Sequence, residues 1–394
     1  MTPIAITGVG IAGPAGMSTG MFWDALLHPQ DRRTPWPRRA MSAYPVDNVI
    51  AIPEPDWAAL PASATRADAL AAFTIGQALA HAGLPRSDVR IGCFLATTTA
   101  GVERLEDEFI GVSGDSAGGS AAALDAATVL QAPGCDWQGP VAMLSTACSS
   151  GLMAPALAID ALLAGEADAM VAGGLDVLLE YTVCGFNGLR VATAERCRPF
   201  DAERKGVVLS EGAVSFCLET LEAAQARGAQ VLAVIRGRGI SCDAEHVTAP
   251  DRAGVSRAIV QALEDSGVAR QDIGAVFTHS TGTSVNDATE IQALRAAFGD
   301  TPLPPVTGIK SVMGHPQAAA GAFSLLAAVL ALRARQLPPT AWLGTTDPAL
   351  GELTVAAGEG LPLARDHVLV EAFGFGGNNC VLVLSGPPAA GARP

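Results

Sequence analysis

Two segments of this chain repeat one pattern: a short, β-rich run passes through a turn of small residues into a long apolar helix. The first reads VAMLS followed by TACSSGLMAPALAIDALLAG, the second VTGIK followed by SVMGHPQAAAGAFSLLAAVLAL. A helix that is apolar nearly all round must be covered on more than one side. A strand feeding such a helix therefore implies a layered α/β protein. The surrounding pattern extends the parallel. Strands are expected at 3–9, 91–97, 140–145, 168–174 and 212–219, then again at 231–240, 273–278, 305–309, 366–372 and 379–385. Helices are expected near 18–27, 66–83, 120–130 and 148–164, then at 252–266, 287–298 and 315–334. The fold class is α/β, with two pseudo-duplicated βαβαβ-type halves, 1–228 and 229–394. The Ala-rich junction at 222–230 lacks the composition of a flexible linker, so the halves are expected to pack as one body.

Composition narrows the chemistry. The 394 residues carry 25 Lys and Arg against 39 Asp and Glu, a net charge of −14 with no basic run. A nucleic-acid or anionic-membrane surface is thereby disfavoured. The eight cysteines are scattered without CxxC pairs or Cys/His ligand spacing, which predicts neither a disulfide framework nor a metal site and fits a reducing cytoplasm. The N-terminus lacks a basic region ahead of its apolar run, so no secretory signal is expected. Ala318–Leu332 is too short to span a bilayer comfortably and reads as a core helix.

Cys148 lies between a strand and a helix in STACSSG, where a helix N-terminus favours the thiolate and small neighbours admit a substrate carbonyl. By itself it reads equally as a small core residue in a tight turn. His279, in THSTGTSVNDATE, and His315, in IKSVMGHPQAAAG, also follow predicted strands, the sheet edge where α/β proteins bind ligands. Lys310 and Glu290 flank the same elements and suit either a buried pair or a surface ion pair. The segment EAFGFGGNN, 371–379, brings backbone N–H groups close to a ligand, or simply turns a hairpin. GVGIAG near the N-terminus misses the GxGxxG spacing of a dinucleotide loop.

Together the TACSSG, HSTGT–ND–E, K–xxxx–H and FGFGG motifs, with ITGVGIAGPAG, FWDALL and CRPFDAERKGVVLSEGA, resemble the β-ketoacyl-acyl carrier protein synthases, elongating condensing enzymes of the thiolase-like superfamily. The resemblance covers most of the chain. It implies a thiolase-like fold in α-β-α-β-α layers and a decarboxylative Claisen condensation in fatty-acid or polyketide/polyene synthesis. It further implies that Cys148 accepts the acyl chain, that His279 and His315 act on the malonyl carbonyl, and that Lys310 and Glu290 form an ordering buried pair. Thr281 and Thr283 match positions that bond the phosphopantetheine arm. The N–H groups of Cys148 and Phe375 match an oxyanion hole, with the Phe375 ring as a gate. No resident cofactor or metal is implied, because phosphopantetheine arrives on the acyl carrier protein. The initiating synthases' Cys-His-Asn set finds no such Asn motif here, and Cys380 lacks the CxG of thiolases and reads as core.

Several positions depart from the family pattern: Val207, Ser210, Ser280, Met313 and Asn378 replace commoner residues. The segment VSGDSAGGSAAALDAATVL before Cys148 is short, which suits a specialised polyketide or aryl-polyene synthase better than a housekeeping one. Arg190, Arg196, Arg198, Arg204 and Lys205 form the candidate docking patch for an acidic carrier protein, with Arg66 a weaker second; solvated loop charge and internal ion pairs are the competing use of such residues. The resemblance implies a homodimer or a heterodimer with a paralogous ketosynthase. The alternative function is a non-condensing, chain-length-factor-like subunit.

Overall fold

A computed structural model describes residues 1–36, 44–60, 65–84, 89–99, 101–109 and 136–388. The expected helix at 120–130 and the short segment before Cys148 lie outside the described residues.

The first half runs β1 (Ile4–Ala12), α1 (Arg66–Ala82), β2 (Ile91–Ala96), β3 (Val141–Leu144), α2 (Ser150–Leu163), β4 (Ala169–Asp176), α3 (Glu180–Gly188) and β5 (Gly212–Thr220). The second runs β6 (Ala233–Cys242), α4 (Arg252–Ser266), β7 (Ile273–Phe277), α5 (Ser284–Phe298), β8 (Val306–Thr307), α6 (Lys310–Met313), α7 (Ala320–Ala334), β9 (His367–Phe373) and β10 (Asn378–Ser385). All ten strands join one sheet, in the order β8-β7-β9-β10-β6-β1-β5-β4-β2-β3. Read outward from the β6–β1 seam, each half places its strands first, fifth, fourth, second, third. The duplication anticipated from the two strand-turn-helix segments is thus present in the topology. The seam is a short antiparallel pairing, Ile4 with Ile235 to Ile6 with Ala233.

The two segments that repeat in sequence occupy equivalent places: β3 leads to α2, and β8 leads through α6 to α7. Both long helices are buried along most of their length, and they meet in the middle layer within one hydrophobic core. Outer layers are formed by α1 over the first half of the sheet and by α4 and α5 over the second, each with its own core. The stretch Gln317–Ala334 is long and apolar enough to cross a membrane, but 83% of it is buried inside the fold, as expected of a core helix.

Sequence patterning misplaced some boundaries. The continuous helix expected over 315–334 is instead α6, a 3-10 turn at Gln317–Ala319 and then α7, so His315 stands in the link before the helix. Strand 305–309 shortens to β8. Helix α3 was not anticipated, because EYTVCGFNG has no amphipathic period and two glycines.

The middle layer depends on small residues. A Cβ placed on Gly151 of α2 would lie 2.4 Å from the Ala318 carbonyl oxygen, and one on Gly321 of α7 would lie 2.8 Å from the Leu152 amide. Gly151→Ala is expected to lower stability by roughly 1–3 kcal/mol through overpacking. Gly76→Ala, on the exposed side of α1 with open space at its Cβ, should instead gain up to about 1 kcal/mol from helix propensity. Urea denaturation midpoints of the two variants check both signs.

Candidate active site

Cys148 lies between β3 and α2, one residue before the helix cap Ser149. Ala147 just before it has φ of 52°, a left-handed conformation unusual for alanine that turns the chain sharply at the cysteine. Ser149 and Ser150 lock this turn by donating to the carbonyls of Thr146 and Ala147, at 2.7 and 2.6 Å. The Cys148 sulfur faces the Nε2 of His315 at 3.1 Å. Backbone N–H groups of Phe375 and of Cys148 itself also reach the sulfur. His315 is held by its own backbone, whose N–H donates to Val208 at 2.7 Å and whose carbonyl accepts from Ser210 at 3.1 Å.

The expected lowering of the Cys148 thiol does not occur. Burial pushes it up to about 12, outweighing the Lys310 charge and the two N–H groups. The helix N-terminus is too weak a counterweight to full desolvation, so the resting group is a thiol beside a base.

His279 follows β7, and its ring meets that of His315 edge-on at 5.8 Å. Burial and the neighbouring Lys310 charge hold both imidazoles well below the usual histidine range, so both are neutral. Lys310 and Glu290 are buried as anticipated, but they do not form a direct ion pair within 4 Å. Each holds a different side of the His279 loop. Glu290 accepts from the His279 and Ser280 amides at 2.6 and 2.8 Å, whereas Lys310 Nζ donates to the His279 carbonyl and lies 3.5 Å from its Nδ1. An ammonium beside Nδ1 makes that nitrogen the acceptor and leaves the ring proton on Nε2.

Cys148, His279 and His315 line one cavity of about 340 Å³ with Thr281, Thr283, Phe375 and Val207, while Lys310 and Glu290 stand behind it. The Thr281 and Thr283 hydroxyls are 2.9 Å apart, and Thr283 caps α5. The Gly-rich segment is both things it could have been: a hairpin turn joining β9 to β10, and a backbone donor at the cysteine. Its Gly376 N–H donates to the Val247 carbonyl at 2.7 Å, tying the turn to the loop 243–250, part of which also lines the cavity. The remaining off-pattern residues surround the site: Ser280 has φ of 35°, Ser210 and Met313 are buried beside the His315 loop, and Asn378 opens β10.

Three residues here were not singled out from sequence. Phe186 on α3 packs edge-on against His315 at 5.9 Å and near Phe375 at 6.0 Å. His246 lines the cavity from the 243–250 loop. Asp176, fully buried at the end of β4, accepts from Thr97, Thr98 and Thr99 and from the Ala318 amide at 2.7 Å, linking the first half to the turn before α7. An aspartate that ends a strand gives no sequence signal of such a role.

The basic cluster is largely committed inside the protein. Arg196 pairs with Asp31 and stacks on Trp342; Arg198 pairs with Glu195 and Glu203. Arg204 is nearly buried between Asp287 and Asp347, and Lys205 pairs with Glu195 while remaining exposed. Arg66 pairs with Glu211 and covers Trp57. Within the cluster only Arg190 has no partner among the described residues, and it lines the cavity. Four of the five expected docking cations are thus engaged in ion pairs, Arg198 and Lys205 with nearby glutamates and Arg196 and Arg204 with aspartates from distant parts of the chain. Cys380 is core, buried in β10 with its thiol pushed up to about 12.

A duplicated sheet presenting a thiol and two neutral imidazoles to one cavity defines a thiolase-like condensing enzyme. Comparison with known proteins agrees: residues 1–224 match the family "Beta-ketoacyl synthase, N-terminal domain" and residues 232–343 "Beta-ketoacyl synthase, C-terminal domain". The chain belongs to the β-ketoacyl synthase family and is a condensing acyltransferase. It is 34% identical to "Actinorhodin polyketide putative beta-ketoacyl synthase 1" of Streptomyces coelicolor, over 99% of this chain and 90% of the relative. It is 40% identical to "3-oxoacyl-[acyl-carrier-protein] synthase 2" of Mycobacterium bovis, over 61% of this chain and 59% of the relative. Among solved structures, the ishigamide ketosynthase/chain length factor superposes with a TM-score of 0.86 at 29% identity, covering 98% of this chain and all of that one. A type II polyketide ketosynthase, AntDE, in complex with its acyl-carrier protein AntF superposes at 0.87 and 25% identity, with the same coverage.

The buried histidines generate a pH prediction. Their depressed pKa values mean that the unfolded chain binds more protons below about pH 6.5. Their contribution to stability is therefore complete above that pH and is lost as pH falls through the folded values. Glu290 and Asp287, raised by burial, act in the opposite sense. Comparing His315→Gln with the unsubstituted protein isolates the histidine part: the variant's denaturation midpoint should fall less between pH 7 and 5.

Proposed function

We propose that this chain is the catalytic member of a ketosynthase system, elongating an acyl thioester held on Cys148 with a malonyl unit delivered by an acyl carrier protein. The observation that carries the reading is the Cys148 sulfur 3.1 Å from His315 Nε2, with two backbone N–H groups directed at the same atom. In the first step the thiol proton passes to His315 as sulfur attacks the acyl carbonyl. The Cys148 and Phe375 amides take the developing oxyanion, and the carrier leaves as its free thiol after receiving that proton. In the second step malonyl loses CO₂, and the electron pair of the broken bond becomes an enolate. Nε2–H of His279, fixed by Lys310, donates to the enolate oxygen, supplying charge stabilisation without a metal or a strong base. The enolate carbon attacks the Cys148 thioester, the thiolate leaves and is reprotonated by a proton taken up from water through His315, and the β-ketoacyl-carrier departs.

The remaining site residues follow from their positions. Thr281 and Thr283, which line the same cavity, are the hydrogen-bonding partners for the phosphopantetheine arm. Phe375 and Phe186 line the cavity with their rings 6.0 Å apart, a pair of aromatics able to separate the acyl and malonyl sites. Arg190, which lines the cavity with exposed Lys205, is the docking group for the acidic carrier; exposed Leu189, Val247 and Val285 line the same cavity. The halves 1–228 and 229–394 contribute the thiol and the two imidazoles respectively. A second ketosynthase-like chain is the proposed partner, by analogy with the ketosynthase/chain length factor structure.

Retention of Cys148, His279 and His315 on one cavity, with Cys148 and His315 within bonding distance, favours catalysis over a purely length-setting subunit. Intact mass after incubation with acyl-carriers should show one acyl increment, absent in Cys148→Ala. No increment with any carrier would assign the non-condensing role instead. His279→Ala should retain acylation while losing roughly 10²–10⁴-fold in decarboxylation, read as CO₂ release. Arg190→Glu should raise KM for the carrier with little change in kcat, and the salt dependence of kcat/KM should flatten.

A further inference from the structure

Glu371 lies within β9 with no exposed surface, and no donor reaches either oxygen of its carboxyl. An isolated buried carboxylate is among the most unfavourable groups a fold can contain. The parallel register of β7 and β9 pairs Phe277 with Val370, which sets Glu371 alongside Thr278, the residue before His279. There its carboxyl meets that of Glu290 from α5. Glu290 already accepts from the amides of His279 and Ser280 and from Asn286 Nδ2 at 3.4 Å. Two carboxylates in contact offer each other only acceptors. One proton between them turns an acceptor into a donor and removes one of two adjacent charges.

We propose that Glu371 is held as a neutral carboxylic acid donating to the Glu290 carboxylate, and is thereby a positioning residue for His279. The charges facing the pair fit one proton. Lys310 answers Glu290, Arg204 answers Asp287 one turn earlier on α5, and His279 is neutral. A second ionised carboxyl would leave one buried negative charge without a partner. Burial and the Glu290 charge both drive Glu371 well above the carboxylate range. No group of three or more His, Cys, Asp and Glu able to hold a metal is formed among the described residues. With its proton in place, Glu290 keeps both oxygens oriented on the His279 loop, opposite the Lys310 contact. The catalytic consequence rests on the role proposed above for His279; the shared proton does not.

The test has a spectroscopic arm and a kinetic arm. Infrared difference spectra at neutral pH should show the carbonyl stretch of a buried carboxylic acid, lost in Glu371→Gln. Gln can still donate to Glu290 and Leu cannot, so Glu371→Gln should lose about threefold in malonyl decarboxylation and Glu371→Leu more than about tenfold. The alkaline limb of the rate profile should move to higher pH in Glu371→Gln, which has no proton to lose there. Absence of the infrared band, or equal loss in the two variants, overturns the proposal. So does activity that disappears on chelation and desalting and returns with added Mg²⁺ or Na⁺, which would put a cation between the carboxyls. A band present in protein that never condenses would uphold the shared proton and overturn the role given to His279.

Discussion

Where α2 meets the turn before α7, backbone meets backbone. Gly151 abuts the Ala318 carbonyl, Gly321 abuts the Leu152 amide, and Gly174 at the end of β4 also lies against Ala318. This proximity fixes the distance between the two halves of the site, since α2 begins just after Cys148 and α7 just after His315. A larger side chain there would separate the helices by more than the 3.1 Å contact could tolerate. The Asp176 carboxylate reinforces the same junction electrostatically, fastening the Ala318 amide to the threonines that follow β2. Packing and chemistry are set by one feature.

Around that junction the protein keeps its reactive groups neutral. Desolvation raises the thiol and lowers both imidazoles, so the resting site holds a protonated sulfur beside a base and a second ring carrying its proton on Nε2. Neutral donors suit a reaction in which negative charge appears only transiently: they stabilise it as it forms without binding the charged malonyl carboxylate too firmly beforehand. Lys310 supplies fixed positive charge one layer behind, through the His279 carbonyl and Nδ1.

Much of this was legible in the chain. The strand-turn-helix segments carried the duplication because apolar helices of that length have few places to go. The order of TACSSG, HSTGT, K–xxxx–H and FGFGG located the groups that the structure gathers. What was not legible depends on distances that spacing does not encode. Whether Arg204 is free depends on Asp287 and Asp347, about 80 and 140 positions away. Lys310 and Glu290 were rightly placed near each other, but their bonding through the His279 peptide is a matter of ångströms. Phe186 was missed because its helix has no amphipathic signal. The thiol's direction was misjudged because helix position is visible in sequence and depth of burial is not.

The two halves differ in chemistry where they agree in topology. Cys148 follows the third strand of one half and His315 the third strand of the other. In a symmetric pair of separate chains these equivalent points would carry the same residue, opposing sulfur to sulfur or imidazole to imidazole. Joining the halves in one polypeptide frees each strand end to specialise, so that an acid stands against a base across a twofold axis that the backbone respects and the side chains do not.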